Sequence, residues 1–369
     1  MAEKEVTIMI GTFYTDLTDP VRKETLGKKT GSRRIAIRFY YPGIEEPGRT
    51  GGNCLTKTKA KWLGKAKDFT LYDSRICLYE GIRIKDGTFP LILFNHGYGG
   101  FTEQNSDLCQ YLAEQNYIVA SIGHSCEASE TVYTDGTSTL FDRSLYLKMF
   151  RPFIPAVIDL FRLRKKELSD EEALKCFDVH QNRYEAFIVQ RVPVWAEDDR
   201  LALKKVHAMN EDPESFLYHK IDFANGVGMT GHSYGGALAY YHCLYDDEIC
   251  CGVNIDGGLF GNYADAVNHK PFMQILHKAN RNVVSRSRLY HDKPVHYLIF
   301  GDTEHNGFTD KKLVSRQRSE VGTSDPVLTM DTLNKLHAAF FERYLKNKDT
   351  ADSSPLPVTA QIIDTYETL

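Results

Sequence analysis

Long apolar runs are missing from the 369-residue chain. Nowhere do about 18 uncharged apolar residues follow one another, which excludes a spanning helix and leaves only a peripheral membrane contact open. An excess of one charge is missing too. Lysine and arginine number 45 against 49 acidic residues, a formal charge of −4, so no cationic field gathers phosphates and no nucleic-acid partner is expected. The N-terminal Met-Ala-Glu-Lys-Glu-Val-Thr-Ile-Met-Ile reaches Gly11 and Asp16 without the apolar stretch of a secretory signal, and a cytoplasmic location is the expectation. Cys54, Cys77, Cys109, Cys126, Cys176, Cys243, Cys250 and Cys251 contain no Cys-x-x-Cys pair, which argues against a disulfide framework and a structural zinc site; they read as reduced thiols. There is no His-Glu-x-x-His, and neither a metal nor a cofactor is expected. Gly97, Gly99 and Gly100 lead into Phe101-Thr102-Glu103 rather than Gly-Lys-Ser/Thr, so they do not form a nucleotide phosphate loop.

What is present is core material: 42% hydrophobic and 12% aromatic residues exclude disorder and coiled coil as descriptions of the whole. Val6–Phe13 and Arg33–Tyr41 read as early strands, and Gly43–Lys65 as a polar surface excursion. Phe89-Pro90-Leu91-Ile92-Leu93-Phe94 is a continuous apolar run of the kind that is buried on both faces. After it, helical spacing at Ser106–Gln115 and Gly235–Leu244 alternates with strand runs at Tyr117–Ile122, Gly226–Thr230, Ile249–Ile255 and Val295–Phe300. Alternation of that kind predicts an α/β fold, a mostly parallel central sheet flanked by helices. Met330–Leu345 predicts a last amphipathic helix starting near Thr329 and Asp331, with Leu333, Leu336, Ala339, Phe340 and Tyr344 on one face. The whole chain, 1–369, is expected to form one domain.

Residues 129–219 break the rhythm. They show no convincing buried strand but carry Leu145, Met149, Phe153, Val157, Leu160 and Phe161, followed by the basic run Arg162-Leu163-Arg164-Lys165-Lys166. A stretch this long between regular elements predicts an insertion, a helical cap or lid over the site or a lipid-facing patch.

The strongest local signal is Gly231-His232-Ser233-Tyr234-Gly235, between the strand Gly226–Thr230 and a helix. A serine presented on so sharp a strand-to-helix turn needs small residues two positions away on each side, where Cβ atoms would collide, and Gly231 and Gly235 supply them. A hydroxyl at neutral pH is a poor nucleophile, so Ser233 requires a histidine base and an acid to orient it, in the chain order serine, acid, histidine. Asp256 ends the run Ile249–Ile255, and His305 follows the run Val295–Phe300. Asp265 and Asp302 compete for the acid role. His296 lies within a strand, His337 lies in the last helix and His277 precedes no strand-to-loop junction, so none of the three is placed to serve as base. Amide donors for a tetrahedral oxyanion are expected after the nucleophile and in the loop following an early strand, which selects the N–H groups of Tyr234 and Tyr98, with Gly97 giving the loop its close approach.

Three blocks resemble the plasma-type (group VII) platelet-activating factor acetylhydrolases and their microbial relatives among the α/β-hydrolases. They are Phe94-Asn95-His96-Gly97-Tyr98-Gly99-Gly100-Phe101, Gly231-His232-Ser233-Tyr234-Gly235-Gly236, and Ile255-Asp256 with Thr303-Glu304-His305; the stretch Arg33–Pro42 resembles the family's early strand. The resemblance implies an α/β-hydrolase fold and calcium-independent hydrolysis of short or oxidised acyl esters, in the best-known members at the sn-2 position of phospholipids. It implies Ser233, Asp256 and His305 as the triad and Tyr98 and Tyr234 as the oxyanion donors. The insertion is not covered by it. Gly257-Gly258-Leu259-Phe260 stands where phospholipid-active members tend to be bulkier, which keeps open an intracellular esterase for small soluble esters. A dienelactone-hydrolase-like or peptidase-type serine hydrolase is the rival enzyme, and a non-catalytic ligand or partner binder is the rival from another class.

Overall fold

The computed structural model describes residues 8–27, 31–64, 68–145, 153–348 and 360–366. Its strands are β1 (Ile8–Lys23), β2 (Ser32–Ile44), β3 (Leu78–Glu80), β4 (Phe89–Asn95), β5 (Ile118–His124), β6 (Glu130–Val132), β7 (Ser138–Leu140), β8 (Ile221–Asp222), β9 (Val227–His232), β10 (Ile249–Ile255), β11 (Phe272–His277), β12 (Val295–Phe300) and β13 (Ala360–Tyr366). All but the β6–β7 hairpin join one sheet in the order β13-β12-β11-β10-β9-β4-β5-β2-β1-β3, with β8 beside β4. From β5 to β12 neighbouring strands pair in parallel, and antiparallel pairs β5–β2, β2–β1 and β12–β13 extend both flanks.

Period two explains how the central strands are buried. Along β4, Phe89, Leu91 and Leu93 enter one apolar cluster and Ile92 and Phe94 the other. Strand β12 does the same with Val295, Tyr297 and Ile299 against Leu298 and Phe300. The main helices are α1 (Lys57–Leu63), α2 (Thr70–Arg75), α3 (Ser106–Glu114), α4 (Phe153–Lys165), α5 (Asp170–Tyr184), α6 (Ala186–Glu211), α7 (Tyr234–Tyr245) and α8 (Pro326–Tyr344). On one face α6 and α7 contribute Trp195, Ala196, Val206, Leu238 and Tyr240; on the other α3 and α8 contribute Leu108, Leu112, Leu333, Phe340 and Phe341.

Several boundaries differ from the sequence reading for identifiable reasons. Strand β1 runs on past Phe13 because Tyr14–Thr18 continue to pair with β2, and Pro20 is tolerated in the irregular stretch between Thr18 and Lys23. Helix α8 starts earlier than Thr329: the Asp325 side chain accepts the Leu328 N–H at 2.9 Å, and Pro326 fits the first turn, whose N–H needs no partner. Strand β11 was not foreseen at all. Its Gln274 is fully buried, satisfied by Asn254 Nδ2 at 2.7 Å and Ser287 Oγ at 2.9 Å, so an amide interrupts what would otherwise read as an apolar run.

The 129–219 segment divides in two. Helix α6 is no outlying cap; Val192, Trp195, Ala196, Ala202 and Val206 recur at helical spacing and are buried in the main core. The β6–β7 hairpin, α4 and α5 lie outside the sheet layers, although Leu163 and Phe177 still reach the core. On α4, Ile154, Val157, Ile158 and Phe161 are 71, 46, 45 and 55% exposed, while Leu160 is partly buried against the core. Met149 and the side chain of Phe153 lie outside the described residues. No helix of the described residues is long and apolar enough to cross a membrane.

Candidate active site

The chemistry-bearing residues sit just beyond the C-terminal ends of the parallel strands, where open α/β sheets bind ligands. Asn95 and His96 end or follow β4, Ser233 follows β9, Asp256 follows β10, His277 ends β11 and His305 lies beyond β12.

Ser233 is forced into φ 55°, ψ −117° between β9 and α7. That backbone is costly for a residue with a side chain, and close packing holds it: the Ser233 N–H donates to Ile255 O at 2.7 Å, and a Cβ on Gly235 would stand 2.1 Å from the Asn95 carbonyl oxygen. The His305 ring bridges Ser233 and Asp256. Its Nε2 is 3.0 Å from Ser233 Oγ and its Nδ1 2.7 Å from Asp256 Oδ2. With the proton on Nδ1, donated to the carboxylate, Nε2 is the acceptor for the serine hydroxyl, a tautomer inferred from the hydrogen-bond network.

Asp256 is fully buried, at φ 59°. One carboxylate oxygen accepts the His277 backbone N–H at 2.8 Å, and His277 Nδ1 lies 2.7 Å from the other, which also receives His305. Burial pushes this carboxyl up, and the hydrogen bonds from His277 and His305 outweigh it, holding the group well below the ordinary carboxylate range. It therefore stays an anion. Asp256, His277 and His305 also place one oxygen and two nitrogens within 4.8 Å of one another, a set that could hold a cation. In the hydrogen-bonded state both Nδ1 atoms carry protons aimed at Asp256, so a metal would have to displace the protons that orient His305.

The loop after β4 closes the site. A Cβ on Gly97 would stand 3.1 Å from His232 Nδ1 and 3.2 Å from Ser233 Cβ, so glycine allows the loop to approach the serine. The N–H groups of Tyr98 and Tyr234 have no hydrogen-bond partner among the described residues, as oxyanion donors require. Glu127 fixes the loop: its carbonyl accepts Gly99 N–H at 2.9 Å, and its carboxylate accepts Tyr98 OH at 3.1 Å and Arg191 Nε at 2.7 Å.

Of the other sequence candidates, Asp265 and Asp302 are exposed, and His296 reaches Tyr344 at 2.8 Å. His277 was misjudged. It stands at a strand-to-loop junction after all, and the signal was there in the way Phe272–His277 ends on a histidine as Ile249–Ile255 leads into Asp256. His232 was missed as well. It accepts from Gln104 Nε2 at 2.8 Å and donates Nε2–H to the His305 carbonyl at 2.9 Å, bracing His305 from behind, and burial together with the nearby His305 pushes its pKa down to about 3. A separate surface cavity, lined by Asp199, Arg200, His242 and Ile249 among others, opens at the opposite, N-terminal end of β10.

His337 braces β9 one residue before the elbow. Its Nδ1–H donates to Leu333 O at 2.7 Å and its Nε2 accepts from Thr230 Oγ1 at 3.1 Å, an arrangement open only to the neutral ring, and burial pushes its pKa down to about 4. The unfolded chain takes up that proton below about pH 6.5, so the stability held by the neutral ring is full above that pH and lost as pH falls towards 4. Urea unfolding at pH 7 and pH 4 is expected to show a His337→Gln variant gaining roughly 2–3 kcal/mol on the parent chain across that interval. A pH-independent difference between the two would mean that the ring can be protonated in place.

The sequence model of the platelet-activating factor acetylhydrolase, isoform II, family matches residues 55–360. The chain belongs to this acetylhydrolase family. A platelet-activating factor acetylhydrolase of Cavia porcellus is 24% identical over 348 residues, 86% of this chain and 74% of the relative, and one of Canis lupus familiaris is 26% identical over 350 residues with the same coverage. A ferulic acid esterase from Streptomyces cinnamoneus superposes with a TM-score of 0.70 over 98% of both chains at 18% identity, which shows a shared fold, that of the α/β-hydrolases. The acetylhydrolase match spans the loop after β4, Ser233, Asp256 and His305, and also runs through α4 and α5.

Proposed function

We propose that this carboxylic-ester hydrolase works through an acyl-enzyme on Ser233, with His305 as general base and then general acid and Asp256 as the group that orients it. The observation that carries the proposal is the single imidazole lying 3.0 Å from the serine oxygen and 2.7 Å from the buried carboxylate. In the first step Ser233 Oγ attacks the ester carbonyl as its proton passes to His305 Nε2, and the Tyr98 and Tyr234 N–H groups receive the oxyanion. The same imidazole protonates the departing alcohol and then deprotonates the water that releases the acid. Asp256 holds the Nδ1 proton and steadies the imidazolium without taking the proton itself.

The substrates proposed are short or oxidised acyl esters, including sn-2 esters of phospholipids. The names of the curated relatives and the exposed apolar stripe of α4, with Arg162 exposed beside it, support a lipid source. The experiment is a panel of p-nitrophenyl esters, aminoacyl amides and short-chain phospholipids in vesicles, with a fluorophosphonate probe. Ester turnover and a probe adduct on Ser233 are expected, and Ile154→Ser with Ile158→Ser is expected to lower only the rate on vesicles. No adduct on folded protein would favour the non-catalytic binder, and turnover of amides alone the peptidase.

A further inference from the structure

Helix α4 ends against the acid loop. Asn282 Nδ2 donates to Leu163 O at 2.7 Å and Lys166 O at 3.0 Å, tying the last turn of α4 to Lys278–Val284, the 3₁₀ turn that follows His277. The same turn holds the acid, because Asn280 Nδ2 donates to Asp256 O at 3.0 Å and the Leu259 N–H to Val283 O at 3.1 Å. Leu163 and Leu259 pack in one cluster. Arg164 is thereby brought to the acid side of the site, and the charges that act on it most are those of Asp256 and Glu304, the residue before the base.

Among the described residues Arg164 has no hydrogen-bond or ion-pair partner. Its Nε is buried without a hydrogen bond, and among the described residues its guanidinium forms no ion pair. Other arginines are engaged: Arg191 with Glu127, Arg288 with Asp170, and Arg286 with the Ala264 and Ala266 carbonyls. Burial pushes the Arg164 guanidinium down, and the Asp256 and Glu304 carboxylates only partly restore it. Arg164 is half-buried, its Nε is shut off from water without an acceptor, and a planar fork of donors matches two oxygens of a phosphate or carboxylate.

We propose that Arg164 receives an oxyanion carried by the ester substrate, a phosphate diester or a carboxylate, and so makes the enzyme selective for anionic esters over neutral ones of the same acyl length. This rests on the serine-esterase reading, with Ser233 as nucleophile. The substrate's anionic group then supplies the missing acceptors, while Glu304, exposed to water, is screened. A lysine at 164 would keep the charge but lose the paired geometry.

The test compares Arg164→Gln and Arg164→Lys with the parent enzyme on p-nitrophenyl acetate, on 4-acetoxybenzoate and on a monomeric 2-acetyl glycerophospholipid. Arg164→Gln is expected to raise KM on the anionic esters tenfold or more while leaving kcat/KM on p-nitrophenyl acetate within twofold, with Arg164→Lys between. A loss confined to the phospholipid assigns phosphate, and a loss on both anionic esters assigns oxyanions in general. Equal losses on all three esters, or no loss on either anionic one, would overturn the proposal. Calorimetric binding of glycerophosphocholine and benzoate to Ser233→Ala protein, with and without Arg164→Gln, separates this from the parent reading. Anion binding that depends on Arg164 would survive a failure of the acyl-enzyme mechanism.

Discussion

Replacing Ser233 by alanine is expected to lower kcat on p-nitrophenyl acetate by about 10⁴- to 10⁶-fold and to abolish the fluorophosphonate adduct. The fold should be untouched. The Ser233 hydroxyl makes its one described hydrogen bond to His305, and alanine at φ 55° carries the same Cβ strain as serine, so no new backbone cost arises. What remains in the variant is the contribution of binding and of the two amide donors, on the order of 10³-fold over water. Residual turnover above about a thousandth of the parent rate would point to His305 activating water directly, with the serine a bystander. Single-turnover kinetics with p-nitrophenyl acetate would tell these apart, because only an acyl-enzyme gives a burst of p-nitrophenol equal to the enzyme present.

The sharp strand-to-helix turn that carries Ser233 was legible in the sequence because its constraint is local. Two glycines, a strand before and a helix after are steric necessities that leave their mark within a few residues, and the strands Ile249–Ile255 and Val295–Phe300 were legible because burial on both faces leaves runs that are apolar apart from Asn254 and His296. Where stability depends on a distant partner, sequence periodicity is silent. Strand β11 hid behind buried Gln274, which only Asn254 and Ser287 make tolerable. Helix α6 was mistaken for part of a cap because its apolar residues are interrupted by Asp198 and Asp199, both buried. Asp198 is paired with Arg33, 165 positions earlier in the chain, at 2.6 Å, and with His124 at 2.9 Å. Burial raises this carboxyl and Arg33 and His124 more than reverse it, so Asp198 stays charged inside a layer whose apolar stripe it breaks. The pairing of His277 with Asp256 and the position of Arg164, without a partner among the described residues, were hidden for the same reason. Each depends on which loop ends meet above the sheet, and no spacing within one segment encodes that.

Replacing Asp256 by asparagine is expected to lower kcat by about 10⁴-fold without removing Ser233 reactivity altogether, and the reason lies in what surrounds the carboxylate. Two imidazole N–H groups and the His277 backbone N–H converge on its two oxygens at 2.7–2.8 Å. An amide offers one oxygen and two donors. The backbone donor cannot change its nature, whereas an imidazole can move its proton, so the amide oxygen turns towards His277 and the NH₂ group towards His305. To accept that NH₂, His305 must give up its Nδ1 proton and carry one on Nε2, the nitrogen that faces Ser233 Oγ. On the proposed mechanism His305 is then blocked as a base by its own proton, with the atoms of Ser233, His305 and residue 256 still in place. Stability at neutral pH should fall as well. A carboxyl held below its unfolded pKa stabilises the fold above about pH 4, and this contribution, lost as pH falls, is absent from the amide at every pH. Steady-state kinetics and urea unfolding of the variant at pH 7 check both expectations. A fall in kcat of less than about tenfold would mean that His305 is held in its tautomer by some other group, and His232, which already binds the His305 carbonyl, would be the first to examine.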